Sequence, residues 1–183
     1  MIVDLNLGDT QEIIKECKKN KLSLNQCGYV LASAYWESGR TMKPVREAFW
    51  LTELWRKTNL RYFPWYGRGH VQITWERNYK RLGERLGLDL TSDPDVVMQP
   101  KVSIKILVIG MKEGLFTNKK LEDYINRYET NFVEARAIVN GNDKAHVIAG
   151  IAEAYCEALE KSGYKLSLSL LEWLKEFKLI KGK

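Results

Sequence analysis

Apolar positions along the chain recur mostly at helical spacing, and they predict a chain of helices with almost no sheet. Across 9–20, Ile13, Ile14 and Cys17 form one apolar stripe, with Asp9 and Thr10 as N-cap candidates. Across 25–38, Val30, Leu31, Ala34 and Tyr35 mark a second helix with Glu37 in its last turn and Gly39 as a C-cap candidate. Pro44 suits a third helix starting near Val45, and 48–57 continues in good helix formers. The stretch 62–70 is too rich in Pro, Gly and aromatics for helix, and 71–73 reads as a brief strand or extended chain. Thr74 is placed to cap a helix over 75–86, with Glu76 in its first turn. After a connection over 87–100, with turn chemistry at 92–95, the apolar run 102–112 predicts a central buried helix. Further helices are expected at 117–126, 131–139, 144–161 and 167–178, the turn 140–143 supplying a cap. The expected architecture is therefore mainly α, a compact single domain over 1–183 of about eight helices with little or no β-sheet.

Composition narrows the class. Hydrophobic residues make up 45% and charged residues 28% of 183, ordinary values for a chain with a real core. No apolar run approaches the length of a membrane span, and the first residues lack the pattern of a secretory signal. The expectation is synthesis in a cytoplasm without a signal peptide. Cys17, Cys27 and Cys156 are odd in number without metal-ligand spacing, and read as reduced, buried small hydrophobes. His70 and His146 are isolated, so neither a metal nor a cofactor is expected. The net charge of +6 favours partners with anionic surfaces, with lysines gathered at 15–21 and again at 175–183.

The densest chemistry lies between Tyr35 and Tyr79. Cleaving a glycosidic bond needs one carboxylic acid to protonate the leaving oxygen and a second carboxylate across the sugar. Glu37 is flanked by Tyr35 and Trp36 at a helix C-terminus; an apolar setting and the helix dipole would both disfavour its charged form. Glu47 follows a turn bearing Gly39 and Pro44 and sits beside Arg46, which favours an ionised base. Glu53 and Glu76 compete for the second role, Glu53 being expected to face solvent and Glu76 to be a first-turn charge. Sugar rings stack on aromatic faces while their hydroxyls bond amides and hydroxyls, so Tyr66, Gln72, Thr74 and Asn78 suit a saccharide groove. Trp50 and Trp55 are expected in the core. Gly67-Arg68-Gly69 lacks the remainder of any phosphate-loop pattern.

The run Tyr66-Gly67-Arg68-Gly69-His70-Val71-Gln72-Ile73-Thr74, followed by Asn78-Tyr79, resembles the signature of glycoside hydrolase family 19, which holds chitinases and lysozyme-like phage endolysins. Trp36-Glu37-Ser38 stands where that family carries its acid, and Ala137-Ile138-Val139-Asn140-Gly141 is similar to its downstream segment. The likeness runs over about 25–159. It implies a lysozyme-like helical fold with a central cleft and inverting hydrolysis of β-1,4 bonds between amino sugars. Glu37 would be the acid, Glu47 the base, Thr74 the holder of the attacking water, and Tyr66, Gln72, Asn78 and Asn140 the sugar-binding positions. The chain departs from the family in carrying Trp36 where His is common, in the short spacing from Glu37 to Glu47, and in lacking the plant cysteine framework and chitin-binding module.

Those departures, with the positive charge, lead to an endolysin-type expectation. The substrate would be peptidoglycan, cut between N-acetylmuramic acid and N-acetylglucosamine by a monomer held near an anionic cell wall after release from the cytoplasm. No stable membrane insertion and no specific nucleic acid are expected. Chitin is the alternative substrate. A catalytically inactive glycan-binding protein, a nucleic-acid-binding protein and a lytic transglycosylase using Glu37 alone are the rivals.

Overall fold

The computed structural model describes residues 2–165, and the helix expected at 167–178 lies outside them. Six α-helices and one two-stranded sheet follow in the order α1 (Thr10–Lys19), α2 (Leu24–Glu37), β1 (Val45–Arg46), α3 (Glu53–Asn59), β2 (Arg68–Gly69), α4 (Glu76–Leu86), α5 (Pro100–Glu113) and α6 (Ala145–Lys161). Short 3₁₀ turns at Pro94–Met98, Leu121–Asp123 and Glu134–Ile138 complete the described chain.

Helix α2 is the centre of the molecule. Every residue from Gln26 to Ala34 is buried, and α2 packs along α6 while α5 packs against α1 and α2. Its start is fixed by a reciprocal capping box: the Ser23 hydroxyl accepts from the Gln26 N–H, and the Gln26 side chain accepts from the Ser23 N–H. Gln26 also donates to the Ile125 carbonyl at 2.8 Å, tying the helix start to the far loop. Val30, Leu31, Ile106, Leu107, Ile148 and Tyr155 are almost wholly removed from water, at about 1.5–3 kcal/mol for each large aliphatic side chain. The effect is to hold the C-terminus of α2, and therefore Glu37, on a rigid base.

Three of the expected helices give way to tertiary contacts. The segment at 45–47 is drawn into extended pairing with the motif loop: Val45 opposes Gly69, Arg46 opposes Arg68, and the Glu47 N–H donates to the Gly67 carbonyl at 2.7 Å. Ala48 then takes φ +47°, and helix begins only at Glu53, where the Thr52 hydroxyl caps the Trp55 N–H. Thr117 does not cap a helix. Its hydroxyl donates to the Ala137 carbonyl at 2.6 Å, and Asn118 at φ +65° stops helical propagation. The segment at 131–139 shrinks to the 3₁₀ turn Glu134–Ile138, with the Asn131 side chain accepting from the Glu134 N–H. Nor does a side chain from 140–143 cap α6, which Lys144 precedes at φ +58°.

Two further expectations are corrected. Trp50 and Trp55, expected in the core, are 71% and 37% exposed. Thr74 does not cap α4: its hydroxyl donates to the Gln72 carbonyl at 3.1 Å, and Trp75, at φ +75°, occupies the N-cap position without a side-chain bond.

Candidate active site

Tyr66 to Thr74 forms a compact loop whose side chains are largely spent on internal support. Arg68 is the keystone. Its guanidinium lies 3.6 Å from the centre of the Tyr66 ring. It donates to Asp95 at 2.7 Å, to the Pro64 carbonyl at 2.7 Å and to the Tyr79 hydroxyl at 3.1 Å, and Tyr79 in turn donates to the Tyr66 carbonyl. Asp95 also accepts from Arg46 at 3.0 Å. Partial burial pushes the Asp95 carboxyl up, but the bonds from Arg46 and Arg68 outweigh it and hold the group below its ordinary value.

Both glycines of the loop are dictated by space. A Cβ on Gly67 would sit 2.8 Å from Gln72 Oε1 and 3.2 Å from Glu47 Oε2, so a side chain there would collide with a cleft amide and with the expected base. Gly69 combines φ +88° with a Cβ position 2.8 Å from Ser103 Oγ. Gln72 itself adopts φ +54° and fastens its side-chain amide to the Val45 and Gly69 carbonyls at 2.8 and 3.0 Å.

One cleft of about 350 Å³ gathers Glu37 from the end of α2, Gln72 and Thr74 from the motif loop, Trp75 and Asn78 from the start of α4, and Phe116, Val139 and Asn140 from later in the chain. Five of the seven expected site residues thus line one concavity. The Asn78 amide donates to the Thr74 carbonyl at 2.7 Å, locking the loop to α4.

Tyr66 is placed elsewhere. It is fully buried, its hydroxyl donates to the Glu53 carboxylate at 2.9–3.1 Å, and its ring is covered by Arg68 and Phe63. It does not line the cleft, and no ring face is open to a sugar.

Glu47 is not among the residues that line this cleft; its carboxylate comes near the Gln72 amide, the two standing 3.2 and 2.8 Å from where a Cβ on Gly67 would lie. Its carboxylate accepts from the Tyr62 hydroxyl at 2.6 Å and from the Gly67 N–H at 2.9 Å, two donors that fix its orientation. Burial, and then the Glu47 contact, push the Tyr62 hydroxyl up to about 12, so it stays a donor far into the alkaline range. Of the competing glutamates, Glu53 bonds Tyr66 and Arg56, and Glu76 is an exposed first-turn charge on α4.

The surroundings of Glu37 differ from those expected. Tyr35 and Trp36 line a separate groove with His146 and Val147, because successive helical residues point about 100° apart. The partner of Glu37 is Arg136, whose guanidinium donates to Glu37 Oε1 at 2.6 Å and to the Asp143 carbonyl at 3.0 Å while only 2% exposed. The local signal was a single arginine inside the apolar run from Ala135 to Val139.

A second buried polar cluster braces the loop from beneath. The Ser103 hydroxyl accepts from the His70 N–H at 2.8 Å and lies 2.8 Å from His70 Nδ1, while His70 Nε2 stands 3.2 Å from Asp9 Oδ2. Burial lowers the His70 pKa, with Asp9 opposing. Cys17, Cys27 and Cys156 are all free thiols. No group of three or more metal-ligating side chains occurs among the described residues, and no helix there is long and apolar enough to cross a membrane.

Comparison with known proteins relates one part of this chain to a family and its fold to solved structures. The model of class I chitinases, glycoside hydrolase family 19, matches residues 49–113, which include the motif loop but neither Glu37, Glu47 nor Asn140. An endochitinase of Arabidopsis thaliana is 50% identical over 42 residues, 22% of this chain and 15% of that protein. A Hevea brasiliensis protein described as inactive chitinase-like protein 1 is 47% identical over 38 residues, 21% of this chain and 12% of that protein. The matches therefore span only a small part of these relatives' own lengths. Among solved structures, chitinase C from Streptomyces griseus HUT6037 superposes with a TM-score of 0.58 at 20% identity, covering 90% of this chain and 66% of that one. A class IV family 19 chitinase from Zea mays gives a TM-score of 0.53 at 19% identity, covering 90% and 86%. Residues 49–113 thus match the model of glycoside hydrolase family 19, and the described chain shares the helical fold of that family's solved chitinases.

Proposed function

We propose that this chain acts as one catalytic domain, a glycoside hydrolase that cleaves β-1,4 bonds of a chitin-type glycan of N-acetylated amino sugars with inversion. The observation that carries the reading is the convergence of Glu37, Gln72, Thr74, Asn78 and Asn140, from three separated stretches of chain, on one cleft. Glu37 protonates the leaving oxygen. Arg136 occupies its Oε1 and leaves Oε2 for the proton. Glu47, oriented by Tyr62 and Gly67, takes a proton from the attacking water, which the Thr74 hydroxyl helps to hold. Inversion of this kind needs the two carboxylates about 6.5–9.5 Å apart, leaving room for that water. Gln72, Asn78 and Asn140 supply amide groups to the sugar hydroxyls and acetamido groups.

The relatives named as chitinases favour chitin. Peptidoglycan is a second reading, favoured by the net charge of +6, which would hold a protein near an anionic wall. The test is incubation with hexameric N-acetylglucosamine and, separately, with peptidoglycan, the products being identified by mass spectrometry and their first-formed anomer by NMR. The expected result is α-anomer products from the hexamer, reduced at least about 100-fold in Glu37→Gln. Products from peptidoglycan alone would move the substrate to the second reading. Anhydro ends surviving in Glu47→Gln would mean a transglycosylase, and binding without any product would leave a glycan-binding protein.

A further inference from the structure

Four large apolar side chains stand out of the surface within seven residues just beyond Glu47: Phe49 at 56%, Trp50 at 71%, Leu54 at 73% and Trp55 at 37% exposure. Single exposed apolar residues are ordinary, but a cluster of this density on a described surface that has few others calls for an occupant. Neither Phe49, Trp50, Leu54 nor Trp55 lines the cleft that holds Glu37.

The cluster is held in place. Arg56, itself 6% exposed, reaches back to donate to the Leu51 carbonyl at 2.7 Å and the Ala48 carbonyl at 3.4 Å, pairs with Glu53 at 3.2 Å and lies over the Tyr66 ring. A buried arginine is thus committed to fixing a solvent-facing loop. Phe49 and Trp50 meet edge to face at 5.2 Å, which orients both rings. Rigid aromatic faces lose little conformational freedom on binding and are the form of surface a ring-shaped ligand rewards.

The position of the cluster favours one occupant. Phe49 Cε1 stands 3.9 Å from where a Cβ on Gly39 would lie, in the turn that ends the Glu37 helix. Between the apolar groups, the Thr52 hydroxyl caps the Trp55 N–H and the Glu53 carboxylate is held by Tyr66 and Arg56, which fixes the local backbone. Phe49 therefore abuts the turn that follows Glu37, itself a residue of the cleft, and exposed aromatic faces are the surface on which pyranose rings stack.

We propose that Phe49, Trp50 and Trp55 form an outer binding platform on which a long glycan strand lies where it leaves the cleft, so that polymer is held more tightly than short oligomer. The proposal rests on the glycan reading of the cleft, so its test separates binding from cleavage. Wild-type protein, Trp50→Ala and Trp50→Tyr are co-sedimented with insoluble chitin. In parallel, their binding to the N-acetylglucosamine trimer is followed by NMR, with hydrolysis of the hexamer measured as an independent readout. Far-UV circular dichroism checks that each variant is folded.

The expected outcome is a roughly tenfold loss of polymer affinity in Trp50→Ala, recovery in Trp50→Tyr, and trimer binding unchanged. Equal losses on polymer and trimer, or no loss on either, would overturn the platform. So would a patch that instead drives self-association, seen as concentration-dependent sedimentation that Trp50→Ala abolishes. Partition onto phosphatidylcholine–phosphatidylglycerol vesicles with no effect on chitin would also overturn it. If no variant cleaves the hexamer while wild type still binds chitin through Trp50, the hydrolase reading fails and the platform stands.

Discussion

Replacing Arg136 by methionine tests the least anticipated contact at the site. The guanidinium is 2% exposed and bonds both Glu37 and the Asp143 carbonyl, while the Glu37 side chain is 16% exposed at the cleft. Removing one partner of a buried ion pair costs about 3–5 kcal/mol, chiefly because the surviving charge is left without compensation. The opening of Glu37 to the cleft lets water approach it, which puts the expected loss near the lower bound, about 3 kcal/mol. For a domain of this length that corresponds to a fall in Tm of about 6–12 °C. The assay is urea unfolding of wild type, Arg136→Met, Glu37→Gln and the double variant, each extrapolated to water. A coupling of about 1–3 kcal/mol between the two positions is expected, the double variant being more stable than the sum of the single losses implies. A loss below about 0.5 kcal/mol in Arg136→Met, or additive single losses, would refute the ion pair as the anchor of Glu37.

Tyr62→Phe removes one of two donors to Glu47 without changing ring volume. A hydrogen bond to a charged group contributes about 1.5–3 kcal/mol, so kcat should fall at least about tenfold with KM little changed, as steady-state kinetics on the hexamer would read. Gly69→Ala forces a side chain against Ser103 Oγ at φ +88°, and strain with overpacking together predict a loss of about 2–4 kcal/mol by thermal unfolding. Stability should also depend on pH through two groups shifted downward. His70 titrates at its ordinary 6.5 once unfolded and lower when folded, so the unfolded chain takes up the proton first and stability falls as pH drops below about 6.5. Asp95 adds a second loss below its ordinary 3.8, because its folded form holds the charge to lower pH. His70→Gln should flatten the first loss and Asp95→Asn the second, in unfolding curves taken from pH 8 to pH 3.

Much of the helical frame was legible in the chain, because α1, α2, α4, α5 and α6 each follow their own apolar period, although of these only α2 is closed at its start by a side-chain cap. The motif from Tyr66 to Thr74 was legible too, and with it Gln72, Thr74 and Asn78 beside Glu37. Three kinds of decision belonged to tertiary structure alone. One is backbone pairing across distance: Val45 and Arg46 carry no strand period, and they are extended because β2 offers them partners. A second is the direction of an aromatic ring. Trp50, Trp55 and Tyr66 are alike in sequence as large aromatics in a mixed stretch, yet the first two face solvent and the third is sealed beneath Arg68. The third is long-range charge. Residues 37 and 136 stand far apart in the chain, and only the packing of α2 against the loop that precedes α6 brings the guanidinium to the carboxylate. Local periodicity fixes which backbone forms a helix, since its hydrogen bonds close within a few residues. The environment of a carboxylate is set by whatever the completed fold brings within about 4 Å of it, and no spacing along the chain encodes that.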